Sequence, residues 1–306
     1  MTRSTLGIVR SAAVVAALSG VAACNKQPEK FDTPEAAVDS LVAAAEKFDR
    51  EKLKRILGTK GAALVTSPDS VSDRLDATQF AERARVKRQL EYDSSRTTVV
   101  VSVGDLDWPM PIPVVQHADK RWSFDPEAGT EELLLRRIGR NELDAIEICR
   151  GYVEAQKEYA LEKRDGALVN QYAQRVISTP GKQDGLAWQG PDSTWQGPVG
   201  LAIARVIAEG YTTGANPYHG YYFKILKGQG PAAPLGEIDF MVDGAMIGGF
   251  ALVAAPAEYL VTGVKTFIVS HDGIVYEKDI GEKTLEVFKS MERYNPDSTW
   301  RPVNNN

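Results

Sequence analysis

Cys24, Cys149, His117, His219 and His271 are the residues whose side chains could act as nucleophiles, metal ligands or proton carriers near neutral pH. Their spacing supports little of that chemistry. No histidine belongs to a His-Glu-x-x-His pair, so a zinc site would need all three from separate loops. No Gly-x-Ser-x-Gly turn presents a serine nucleophile. The stretch "GQGPAAPLG" lacks the spacing, lysine and hydroxyl of a phosphate loop, and "KRDGALVN" lacks the alternating acids of a calcium loop. These motifs call for no cofactor and no metal. What remains is an aromatic cluster at a strand entrance, Tyr218, His219 and Tyr221 in "PYHGYYF", together with His271 in the turn "HDG". A ligand-binding patch is expected from Tyr218, His219, Tyr221 and His271. The alternative to a non-catalytic protein is a hydrolase with its site near His219 and His271.

Cys24 has a different chemistry. Arg3 and Arg10 precede the apolar run Ser11 to Ala23, which is the layout of an export signal and is too short for a hydrocarbon core that needs about 17 to 25 helical residues. The run ends in Val21-Ala-Ala-Cys24, which resembles the bacterial lipobox. That resemblance implies cleavage after residue 23, acyl chains on the Cys24 sulfur and amine, and a membrane as one partner. Residues 1–23 then form a lipoprotein signal peptide, and residues 24–30, "CNKQPEK", a polar tether. The expected location is the cell envelope on the periplasmic side, with an envelope protein as a further partner. With Cys24 acylated, Cys149 has no cysteine to pair with. The chain carries 36 basic and 41 acidic residues, and loss of residues 1–23 removes two arginines and no acid. Such an acidic body does not suit a nucleic-acid partner.

The elements that position these residues follow from pattern. Thr33, Pro34 and Glu35 read as the cap and first turn of a helix with its apolar stripe at Val38, Leu41, Val42, Ala45 and Phe48. A short helix stopped by Gly58 comes next, then turns over residues 67–76 and a helix in "ATQFAERARVKRQ". The period then changes to that of strands in "TTVVVSVG", "WPMPIPVVQ" and "RWSFD". Pro109, Pro111 and Pro113 place the middle strand at an edge. Helices followed by strands mean an α+β unit over residues 31–128, similar to the cystatin-like or NTF2-like class, whose members often carry a pocket between helix and sheet.

Residues 129–306 form the second unit. A long helix is expected from near Thr130 through "EICRGYVEAQKEYALEK", with Ile138, Ala145, Ile146, Cys149, Tyr152 and Val153 on one face. An irregular stretch, a short helix, three strand-like runs with a hairpin at His271-Asp272-Gly273 and a closing helix complete the unit. The pentapeptide Pro-Asp-Ser-Thr-Trp occurs at Pro191 to Trp195 and at Pro296 to Trp300. It reads as a turn followed by a tryptophan that plugs onto the body.

The stretches "RRIGRNELDAIEICRGYVEAQKEYA", "STPGKQDGLAW", "NPYHGYYFKILKGQGPAAP", "TFIVSHDGIVYEKDIG" and "NPDSTWRPV" together resemble the bacterial family called domain of unknown function 2950. The resemblance implies an exported or lipid-anchored protein and transfers no catalytic residue. More loosely, the helix and antiparallel meander of the second half resemble the globular part of type IV pilins and pseudopilins. The fold expected is therefore α+β throughout, and the function that of a binding or assembly module of the envelope.

Overall fold

Thr33 opens the first helix as the sequence implies, its hydroxyl accepting from the Ala36 amide with Pro34 in the first turn. The computed structural model describes residues 27–64, 66–208 and 216–304. Residues 1–26, which hold the expected export signal, Cys24 and the start of the expected tether, lie outside the described residues. Glu29 and Lys30 already belong to the body: the Glu29 amide donates to the Arg55 carbonyl at 3.0 Å, and Lys30 Nζ meets Asp119 at 2.7 Å.

The first unit consists of α1 (Pro34–Glu46), α2 (Arg50–Gly61), α3 (Ser70–Val86) and a sheet of β1 (Arg88–Tyr92), β2 (Thr98–Val103), β3 (Trp108–Pro109), β4 (Val114–Gln116) and β5 (Trp122–Phe124). The sheet runs β1-β2-β4-β5, with β3 on β2, and every pairing is antiparallel. Ala37, Val38, Leu41, Val42 and Ala45 of α1 are buried against Val99, Val101, Val103, Val114 and Phe124 of the sheet.

Three local readings are corrected here. Of the turns expected over residues 67–76, only residues 67–69 stay outside a helix; from Ser70 on they are the first turns of α3, because Asp69 caps it by accepting from the Ser72 amide. Arg88 and Gln89, read as the end of a helix, open β1, whose five residues pair with Val99–Val103 of β2. The proline-rich strand is broken: its prolines fall in β3 and the link after it, while Val114–Gln116 beyond them lies inside the sheet and not at its edge.

The long helix α4 (Pro126–Tyr159) starts one turn before Thr130, capped by the Asp125 carboxylate on the Glu127 amide. Its 34 residues reach about 50 Å at 1.5 Å per residue and serve both halves of the chain. The early turns roof the first unit, while Ala145, Ile146, Cys149, Tyr152 and Val153 pack into the core of the second.

The second half adds β6 (Arg175–Ile177), β7 (Gly185–Gln189), β8 (Trp195–Gln196), α5 (Gly200–Ala208) and β9 (Tyr221–Leu226). The short strands β10 (Gly228–Gln229), β11 (Ile238–Asp239), β12 (Met241–Val242) and β13 (Ala245–Met246) follow. Then come β14 (Ala251–Pro256), β15 (Lys265–Ser270), β16 (Tyr276–Asp279), α6 (Thr284–Ser290), β17 (Arg293–Tyr294) and β18 (Arg301–Pro302). The main sheet, ordered β18-β16-β15-β14-β9, is the antiparallel meander expected. The fold is α+β. No helix among the described residues is long and apolar enough to cross a membrane.

Candidate functional site

The histidines and tyrosines singled out from sequence occupy separate places. In β9–β14 pairing Tyr221 faces Pro256 and Leu226 faces Ala251, which in turn faces Ser270. His219 therefore stands at one end of the main sheet and His271 at the other, five residues or about 17 Å away along the strands. The single patch of Tyr218, His219, Tyr221 and His271 is corrected to two places, and a hydrolase site shared by His219 and His271 loses its geometry. Tyr221 is no ligand-binding lip either. It is fully buried, its hydroxyl donates to the Lys265 carbonyl at 2.9 Å, and burial raises its pKa.

Each histidine has a local setting. His219 (φ +48) and Gly220 (φ +74) are the two central residues of a tight hairpin turn closed by reciprocal bonds between Tyr218 and Tyr221, where positive φ at both positions matches strand twist. His219 Nδ1 lies 2.6 Å from Asp144 Oδ2 on α4. His271 sits edge-on to Phe240 and Phe250, and its Nδ1 is buried without a hydrogen-bond partner among the described residues. His117 Nε2 lies 2.8 Å from Ser123 Oγ, a nucleophile–base distance. Ser123 is buried, its hydroxyl also faces the Phe124 carbonyl, and among the described residues no carboxylate bonds the other His117 nitrogen.

The turn at His219 is part of a polar seam along α4. Asn141 Nδ2 donates to the Thr262 carbonyl at 2.9 Å, and Glu142 Oε1 accepts from the Val264 and Lys265 amides at 2.9 Å each. Asp69, the cap of α3, accepts from the Gly220 amide with its second oxygen at 2.8 Å. These carboxylates and amides fix one end of the main sheet to α3 and α4. The seam is structural work done by residues with chemical names.

The recess with the character of a binding site lies in the first unit. A cavity of about 280 Å³ opens between α1, α2, α3 and β2, under the early turns of α4. Leu41, Leu53, Leu57, Phe80, Val103 and Met110 make its walls apolar. On α4, Leu133, Arg136, Arg137 and Arg140 recur at three- and four-residue steps and therefore share the face turned to it. Arg83 of α3 completes a mouth of four arginines against two aspartates, Asp73 and Asp76.

The arginines differ in their commitments. Arg137, almost buried, donates to the carbonyls of Ala63 and Leu64 at 2.9 and 2.7 Å and lies 3.6 Å from Asp73. Asp73 accepts from both the amide and the hydroxyl of Ser67, yet burial outweighs these and Arg137, and its pKa is raised. Arg140 and Asp76 form a bidentate pair at 2.7 Å. Arg136 bonds Glu132 through Nε at 2.8 Å and lies over the Trp108 ring, 5.0 Å from its centroid. Arg83 is exposed and has no ion pair among the described residues. Sequence reasoning supplied the pocket only as a habit of the fold class. The arginine triplet on α4 could have been seen in "LLLRRIGR", whose charges follow three leucines where solvent-facing charge alone explains nothing about spacing.

No group of histidine, cysteine and acidic residues able to hold a metal is found among the described residues. Cys149 is fully buried, and burial pushes its thiol up to about 12, so it is an inert core residue and not a nucleophile. The profile of the family described as "Protein of unknown function (DUF2950)" matches residues 28–303. No curated protein and no solved structure matches the chain, and the resemblance of its second half to pilins is not confirmed. With nearly the whole of its length inside that profile, the chain belongs to the DUF2950 family.

Proposed function

We propose that the protein is a non-catalytic binding module held at the bacterial cell envelope by acyl chains on Cys24. The observation that carries the binding reading is the cavity under α4. Protein interiors are close-packed, and a recess of this size lined by leucines and ringed by arginines is space that ordinary core packing would have filled. The settings of the histidines support a role without catalysis: His219 is held in a turn against Asp144, and His271 lies between two phenylalanines.

The address rests on sequence. Two arginines, a 13-residue apolar run, small residues and then Cys24 stand in the order of a lipoprotein signal. Each buried methylene contributes about 0.8 kcal/mol and stable attachment takes two chains, so three acyl chains hold a water-exposed body at a bilayer without a spanning helix. The acidic balance of the body disfavours nucleic acid and leaves an envelope component or a small ligand as partner. Cells fed an alkyne fatty acid test this reading. The wild-type chain takes the label and sediments with membranes, and Cys24→Ala loses both. An unlabelled wild-type chain that still begins at Met1 overturns it.

A further inference from the structure

We propose that the cavity under α4 binds a single-chain anionic amphiphile, an unbranched aliphatic tail ending in a carboxylate. This rests on the binding-module reading and adds to it the class of ligand. The walls decide the tail. Leu41, Leu53, Leu57, Phe80, Val103 and Met110 offer carbon and sulfur surface from several elements at once, and apart from the charged groups Gln79 is the one side-chain amide in the lining. At about 280 Å³ the space lies just below the range of about 300–1,000 Å³ for small-molecule sites, room for one chain and not for a two-chain lipid.

The mouth decides the head group. Arg83, Arg136, Arg137 and Arg140 face Asp73 and Asp76 there, and with Glu132 on Arg136 the mouth keeps an excess of one positive charge. Arg137 and Arg140 are committed to backbone carbonyls and to the aspartates. The guanidiniums of Arg83 and Arg136 remain for a ligand. Arg83 carries no ion pair among the described residues, and its stem runs along the face of Gly104. Arg136 bonds Glu132 through Nε and lies over the Trp108 ring, which leaves its two terminal nitrogens for a ligand. The planar fork of a guanidinium is suited to bidentate contact with a carboxylate. A cationic head would meet these arginines as like charge, and an uncharged tail would leave Arg83 without a counter-ion.

The test is a calorimetric titration of the full chain carrying Cys24→Ser, which removes its own acyl chains from competition. The probes are monomeric dodecanoate, dodecyltrimethylammonium and vesicles of phosphatidylglycerol. Dodecanoate is expected to bind saturably at one site and at least about tenfold more tightly than the cationic amphiphile of equal length. The double variant Arg83→Glu, Arg136→Glu, at exposed positions, is expected to reverse that preference. Ala77→Trp, which fills the cavity, is expected to abolish both; if it fails to fold, the charge reversal decides alone. Equal binding of the two heads, a preference unmoved by the charge reversal, or binding confined to the vesicles overturns the proposal. Acyl labelling of Cys24 is read separately, so its survival alongside a failed titration removes the ligand class and leaves the anchored module standing.

Discussion

Gly220 has a neighbour on every side: a Cβ there would lie 2.5 Å from Asn141 Nδ2 and 2.9 Å from Thr262 Cβ, on a backbone with φ +74. Gly220→Ala should therefore cost about 3 kcal/mol, steric and backbone strain together, whereas Gly273→Ala, with φ +79 but open space around it, should cost about 1 kcal/mol. Denaturant unfolding of the two variants measures the difference; equal losses would mean the seam at Asn141 does not constrain the turn. Asp73 gives a pH signature. Its pKa is raised in the folded chain, chiefly by burial, so above the ordinary carboxylate value of 3.8 the unfolded chain releases this proton first. Stability from this group is full below that value and is lost as pH rises through the folded pKa. Relative to Asp73→Asn, the wild type should lose unfolding free energy as pH climbs from about 4, and a constant difference across that range would contradict the assignment. At this scale the sequence was a partial guide. The caps Thr33 and Asp69 are both side-chain acceptors, but only the first stood before an apolar stripe and was legible. His219 and His271 share a residue type, and nothing local to either says that five strand positions separate them.

Among the elements, α4 carries the most. Its first half turns arginines to one unit and its second half turns Ala145, Cys149 and Val153 to the other, so the helix is amphipathic twice in different directions. Arg137 is the tie that burial makes expensive to lose. Arg137→Ala takes the counter-charge from Asp73 and the guanidinium donor from the Ala63 and Leu64 carbonyls, and should cost about 3 kcal/mol. Arg140→Ala breaks a well-formed but half-exposed pair with Asp76 and should cost about 0.5 kcal/mol. Thermal unfolding of both variants checks the contrast, and comparable losses would contradict the buried role of Arg137. The existence of α4 was legible from its three- and four-residue steps, as were β14, β15 and the hairpin at Gly273. The strand β1 was not, since "RQLEY" is mostly exposed and gains its pairing only from β2. The two copies of Pro-Asp-Ser-Thr-Trp do form the same turn, with Asp192 and Asp297 each accepting from the amide and hydroxyl of the threonine two residues on. Trp300 is buried as expected and Trp195 only half so, because burial depends on what lies beneath the turn.

For the whole molecule, α+β order, a first unit of helices over a sheet and a second of helix over meander were legible because period and turn chemistry are local. The cavity was not, because it is a gap among side chains from α1, α2, α3, β2 and α4 that no stretch of sequence contains. The account of what this protein does turns on that gap. A dodecanoate analogue with a diazirine at its tail end, bound to the full chain and photolysed, tests it most directly. The account predicts that the label falls on cavity residues such as Leu41, Leu53, Phe80 and Met110. A label spread instead over the most exposed leucines, Leu106, Leu168 and Leu235, would contradict it.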